Sequence, residues 1–155
     1  MPRTLQAELR QRKPFASLEQ EAMVSIARTA AVLEHATAEA LKPYGLTPTQ
    51  YNALRILRGA EPEGLGRNEV RDRLIARVPD ATRLLDRLGE MGLVVRAREG
   101  DDRRVVRARI TRAGLELLAG LEDVVQRLHR RQLGHLGERK LRTLVNLLAE
   151  AREHC

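Results

Sequence analysis

The side chains best suited to chemistry in this chain are hydrogen-bond donors rather than nucleophiles. Thr82, Arg83 and Arg87 share one face of a short amphipathic segment, Arg77 precedes it, and Arg96, Arg98, Arg103, Arg104, Arg107 and Arg109 follow. A guanidinium carries five N–H donors in a planar fork that matches phosphate oxygens and base edges, so the chemistry on offer is reversible recognition of a polyanion. No phosphate loop, nucleophile elbow or metal-ligand spacing occurs in the sequence, which argues against an enzyme. His35, His129, His135 and His154 are scattered, and no metal site is expected from them.

Two elements must position these donors. From Pro79, whose missing N–H suits a first helical position, Ala81, Leu84, Leu85, Leu88 and Met91 recur at helical spacing, and Gly92 closes the helix. The opposite face carries Asp80, Thr82, Arg83, Asp86, Arg87 and Glu90, of which only Thr82, Arg83 and Arg87 can donate to base or phosphate acceptors. By itself this pattern also fits a solvated surface helix. Residues 93–98 and 103–110 then alternate as two strands around a turn-rich tip, Glu99-Gly100-Asp101-Asp102. The alternation predicts Leu93, Val95, Ala97, Val106, Ala108 and Ile110 facing a core, with Arg96, Arg98, Arg107 and Arg109 pointing outward. Outward arginines without nearby acids call for a polyanion; edge protection would explain their charge but not the helix placed just before them.

Bulk composition points the same way. The chain has 155 residues and a formal net charge of +7, and residues 67–112 hold thirteen Arg or Lys against eight Asp or Glu. Aromatic residues make up only 2%, so base stacking has little to work with and duplex DNA is the better match than single strands or RNA. The one cysteine, Cys155, excludes an internal disulfide framework and a cysteine-based zinc cluster. No stretch approaches the roughly 20 apolar residues of a membrane span, and the first residues lack an apolar signal core, so a cytoplasmic protein is expected.

The rest of the chain reads as helical. Ser17 with Gln20 forms a capping box opening a helix over residues 18–41, with Ala22, Ile26, Ala30, Leu33 and Leu41 apolar, and Pro43 and Gly45 end it. Thr47-Pro48 starts a second helix, residues 59–66 form a loop, and 67–74 a short helix. Thr111 caps a long helix through Leu115, Leu117, Leu118, Leu121, Val124, Val125 and Leu128, and a last helix covers about 138–150 with Leu141, Leu144, Val145, Leu147 and Leu148. The first and the last two of these carry more apolar surface than the small central unit can cover, which predicts a homodimer. A two-fold dimer would set two DNA-reading helices roughly 34 Å apart, as a palindrome requires.

Three stretches resemble the MarR-type winged helix-turn-helix regulators: GLTPTQYNALRIL (45–57), VPDATRLLDRLGEMGLVVRAR (78–98) and DDRRVVRARITRAGLELL (101–118). The last contains the wing signature, Asp102-Arg103-Arg104 followed by a strand, Thr111 and Gly114. The resemblance implies a mostly α (α+β) winged helix-turn-helix in the order helix, helix, strand, helix, helix, strand, strand, helix, helix. It implies an N-terminal helical dimerisation region over 1–46, a DNA-binding domain over 47–112 and a C-terminal dimerisation region over 113–155. Thr82, Arg83 and Arg87 would then enter the major groove and Arg103 or Arg104 would reach the minor groove, with Asp102 orienting a wing arginine; Arg77 and Arg98 are further DNA-binding candidates. The implied function is a sequence-specific regulator of transcription, a ligand-responsive repressor on a palindromic operator; a sequence-independent DNA-architectural protein is the alternative.

Many relatives release DNA when a small, often phenolic, anion binds between the dimer and DNA-reading parts. His35, Tyr44, Tyr51 and Arg55 are the groups that could orient such an effector, and no cofactor or metal is implied. Relatives often open the recognition helix with small hydroxyl residues, where this chain has Val78, Pro79 and Asp80. An acid there is unfavourable near phosphates unless it accepts from a cytosine amine. The N-terminal cysteine of peroxide-sensing relatives is missing, which removes that mode.

Overall fold

Caps written in the sequence start most of the helices. A computed structural model describes residues 4–98, 106–153 and 155. Its elements are α1 (Leu5–Glu8), α2 (Leu18–Leu41), a 3-10 turn (Lys42–Tyr44), α3 (Pro48–Arg58), β1 (Leu65–Gly66), α4 (Arg67–Arg73) and α5 (Thr82–Glu90). They continue with β2 (Val94–Arg98), β3 (Val106–Ile110), α6 (Arg112–Leu133), a second 3-10 turn (Gly134–Leu136) and α7 (Gly137–Arg152). The strands form one antiparallel sheet in the order β1-β3-β2. This is the expected mostly α winged helix order, with the one-turn α1 added in front. The tip quartet, with Asp102, Arg103 and Arg104, and His154 lie outside the described residues.

Thr47 caps α3 reciprocally with Gln50, and Pro48 occupies the first turn where no N–H is needed. Ser17 caps α2 by accepting from the Gln20 amide, but Gln20 returns to the Ala16 N–H rather than to that of Ser17. Pro79 does not open the next helix as its position suggested. The Asp80 carboxylate captures the Thr82 amide at 3.0 Å, and Ala81 is drawn into the core at 1% exposure, so the first turn of α5 begins at Thr82.

The stop of α5 sets the phase of everything after it. Gly92 adopts φ 74°, its N–H bonds to the Gly89 carbonyl and the Leu93 N–H to the Leu88 carbonyl, a Schellman closure that needs a residue tolerant of left-handed backbone. Leu93, buried, belongs to that stop and not to the strand. Strand β2 therefore starts one residue later, at Val94, and a slip of one residue turns every side chain to the opposite face. Val94 is buried and Val95 is half exposed, the reverse of the expectation.

Thr111 fastens the base of the ribbon. Its hydroxyl donates to the Gly92 carbonyl at 2.7 Å and accepts from the Gly114 amide at 3.1 Å, while its own N–H bonds to the Leu93 carbonyl. The start of α6 comes so close to the ribbon that a Cβ on Gly114 would lie 2.6 Å from both the Leu93 carbonyl oxygen and Ile110 Cγ1. Gly114→Ala should accordingly destabilise the fold by about 1–3 kcal/mol, the usual range for overpacking, as a lowered urea midpoint with unchanged slope. An unchanged midpoint would show that α6 can shift away without loss.

The core joins the central elements to α6 and to the end of α2 at Leu41. Ala53, Leu54 and Leu57 of α3, Val70 of α4, Leu85 and Leu88 of α5, Val94, Ala108 and Ile110 of the sheet, and Leu118, Leu121 and Val125 of α6 are all buried together. Burial of Leu85 and Leu88 contributes about 1.5–3 kcal/mol each and decides which face of α5 remains outside. The long helices are treated differently. Only Leu41 of α2 is buried, and no residue of α7 is, while Leu18, Met23, Ile26 and Val32 on α2 and Leu144, Val145 and Leu147 on α7 are exposed apolar side chains.

Candidate nucleic-acid interface

Helices α4 and α5 are joined by the turn at residues 74–81, and α3 holds that turn. Asn52 of α3 accepts the Ile75 N–H through Oδ1 at 2.9 Å, a tie across 23 residues of sequence. The sequence reading passed over Asn52; an asparagine inside a strongly amphipathic helix, where its propensity is poor, was the available signal. At the far end Glu69 accepts the Gly66 N–H and lies 3.7 Å from Arg107 of β3, linking the start of α4 to the ribbon.

With Leu85 and Leu88 turned inward, α5 presents Arg83 and Arg87 to solvent. Arg83 makes no hydrogen bond or ion pair with another described residue, and the same holds for the exposed Arg77 and Arg98. Arg87 pairs with Glu90 at 3.0 Å, both about two-thirds exposed at 64% and 66%. Such a surface pair is worth about 0–1 kcal/mol and exchanges readily for a phosphate. Thr82 differs from its expected role as a donor, because its hydroxyl already donates to Asp80 Oδ1 at 2.8 Å. These bonds from the Thr82 hydroxyl and amide hold the Asp80 carboxyl below its ordinary 3.8, with the charges of Arg67 and Arg71 adding to the effect. A depressed carboxylate pKa means the capping interaction is present above the ordinary value and is lost as pH falls through the lowered one, so Asp80 is ionised throughout the neutral range.

The ribbon arginines divide by face. In an antiparallel pair, directly opposed residues share a face. Val94 opposes Ile110, Arg96 opposes Ala108 and Arg98 opposes Val106, so Arg96 and Arg98 continue the core face of the sheet beyond the core itself. Arg96 pairs there with Asp86 of α5. Arg107 and Arg109 lie on the other face, donating to the carbonyls of Gly64 and Glu63. The picture of four outward, uncompensated arginines is thus corrected: three of them brace the ribbon against α5, α4 and the loop before β1, and among the described residues Arg98 has no such tie. Between ribbon and helices lies a cavity of about 570 Å³ with Arg67 and Asn68 of α4, Thr82 of α5 and Arg96 on its walls.

Of the four residues considered for an effector, the structure brings two together. Tyr51 and Arg55 line a cavity of about 50 Å³ between α3 and α6, and the Arg55 guanidinium stands 5.9 Å from the Tyr51 ring centre, within cation–π range. His35 is exposed on α2, Tyr44 is in the 3-10 turn, and neither lines this space. His129 of α6 does, although the sequence had not marked it for that purpose. Among the described residues no group of three or more His, Cys, Asp or Glu is placed to hold a metal, and no helix is long and apolar enough to cross a membrane.

A family model described as the MarR family matches residues 44–105. A MarR transcription factor from Planctomyces limnophilus is 43% identical over 88% of this chain and 98% of its own, with a TM-score of 0.68. Apo wild-type MarR from E. coli is 25% identical, covering 89% and 98%, at a TM-score of 0.69. MepR of S. aureus, solved as a DNA complex, shares the fold at a TM-score of 0.75 with 18% identity over 92% of this chain and 100% of its own.

Proposed function

The chain belongs to the MarR family of transcription regulators, and from that premise we propose that it binds a palindromic operator in double-stranded DNA as a homodimer and acts as a ligand-responsive repressor. The observation that carries this reading is the outer face of α5, where Arg83 stands exposed and without a partner among the described residues while Leu85 and Leu88 anchor the helix from behind. Arg83, Arg87 and Thr82 would meet the major groove, Arg77 and Arg98 the flanking phosphates, and Arg103 or Arg104 the minor groove with Asp102 orienting them. The family resemblance alone supports those last three assignments.

The DNA-binding part is assigned to 47–112 and the dimerisation regions to 1–46 and 113–155, a division that the family resemblance supports. The core of the single chain also draws on Leu41 and Leu46 before that part and on Leu118, Leu121 and Val125 after it, while the exposed apolar side chains of α2 and α7 are left for a second copy. An effector would be a small aromatic anion held by Arg55 and Tyr51. A space of about 50 Å³ is well below the ~300 Å³ typical of ligand pockets, so binding would have to part α3 from α6. Because α3 ties the turn before α5 through Asn52, that movement would reach the DNA-reading helix.

Competition of random duplex against a palindromic fragment, beginning with the DNA beside its own gene, tests the reading. A regulator should prefer its site by about 10³ or more. Equal affinity for both would replace the regulator with a sequence-independent architectural protein bound by charge alone.

A further inference from the structure

We propose that Asp80 is a specificity-determining residue that selects a cytosine in each half of the operator by accepting a hydrogen bond from the N4 amine. The proposal rests on the sequence-specific DNA reading above and goes beyond it by naming a base.

Asp80 is exposed on the turn ahead of α5, one residue before its cap position Ala81, at the leading end of the helix offered to the groove. Both bonds from Thr82 end on its Oδ1, and no described residue donates to Oδ2. The two bonds hold the carboxylate against the start of α5 and leave Oδ2 for another donor. The free Oδ2 of Asp80 is therefore an acceptor at the leading end of α5. Guanine O6 and N7 and thymine O4 are acceptors too and are disfavoured opposite it.

Two major-groove groups can donate to it, adenine N6 and cytosine N4. Adenine carries the N7 acceptor beside its amine, which opposes a carboxylate; cytosine carries only a C5–H there. The guanine of the same pair offers O6 and N7, the preferred target of an arginine fork, and Arg83 stands on the first turn of α5 without a partner among the described residues. Asp80 and Arg83 together can address both members of one pair or of adjacent pairs. Arg67 and Arg71 lie close enough to favour the ionised carboxylate, which offsets the repulsion an acid meets near the DNA backbone.

The full-length protein is used to select duplexes from a randomised library, and the selected sequences are compared for wild type, Asp80→Asn and Asp80→Ala. Wild type should enrich a cytosine at one position per half-site, and replacing it by thymine should weaken binding about tenfold or more. Asparagine keeps a side-chain oxygen to cap Thr82 but adds amide donors, the pairing suited to adenine, so Asp80→Asn should move the preference at that position alone from cytosine to adenine. Asp80→Ala should flatten it. If Asp80→Asn selects the same bases as wild type, the carboxylate is only a helix cap and the proposal fails while sequence-specific binding stands. A wild-type protein that enriches no sequence at all overturns the operator reading, and this proposal with it.

Discussion

Arg83→Ala is expected to abolish most of the discrimination between the operator and random DNA, lowering affinity for the selected site by about 1–3 kcal/mol while binding to random duplex hardly changes. The asymmetry follows from where the side chain sits. The residues beneath it, Leu85 and Leu88, are 1% and 0% exposed, so α5 is held in one orientation with Arg83 on its outer face. Its guanidinium has no competing partner among the described residues, whereas Arg87 must first give up Glu90 and Arg96 is committed to Asp86. A residue that reads base edges loses its contribution only where the right base is present; a residue that meets phosphate loses the same amount everywhere. Titrations of fluorescent operator and random duplex at matched salt distinguish the two. An equal loss on both, with a shallower salt dependence, would move Arg83 from base reading to the backbone.

Leu144→Asp should convert the protein into monomers that bind a full palindrome no better than a half-site. Helix α7 has no buried residue in the single chain, yet Leu141, Leu144, Val145 and Leu148 form a helical apolar stripe along it. Leu144 is 37% exposed, so an aspartate there can keep contact with water in an isolated protomer and leaves the central core untouched. Against a second copy the same carboxylate would be buried without a partner, which costs several kcal/mol. Losing the covalent-like effective concentration of the second DNA-reading unit should lower palindrome affinity by about 10²–10⁴. Sedimentation velocity reads the assembly and the same titrations read the affinity. A sedimentation profile identical to wild type would remove α7 from the dimer contact.

Much of the architecture is legible because it is local. Thr47-Pro48 with Gln50, Ser17 before α2 and Thr111 before α6 each place a cap acceptor within hydrogen-bond reach of an amide three residues on, and the helices start there. The apolar spacing of α5 likewise foretold which face is buried and which carries Arg83 and Arg87. Residues 45–57, 78–98 and 101–118 were enough to indicate the family, since their order of helix, ribbon and Thr–Gly signature reflects contacts made over short distances.

What the sequence determined by itself, then, is the set of elements, the basic character of the central region and the buried faces of α3, α5 and α6, all consequences of propensity, capping and periodicity acting over a few residues. Tertiary structure alone decided which donors are available. The Schellman stop at Gly92 and Leu93 shifts β2 by one residue and carries Arg96 to Asp86, and β1 and α4 bring the carbonyl of Gly64 and the Glu69 carboxylate to Arg107. A hydrogen bond depends on distance in space, and an arginine looks the same along the chain whether its nearest carboxylate is ten residues away on a neighbouring helix or nowhere within reach.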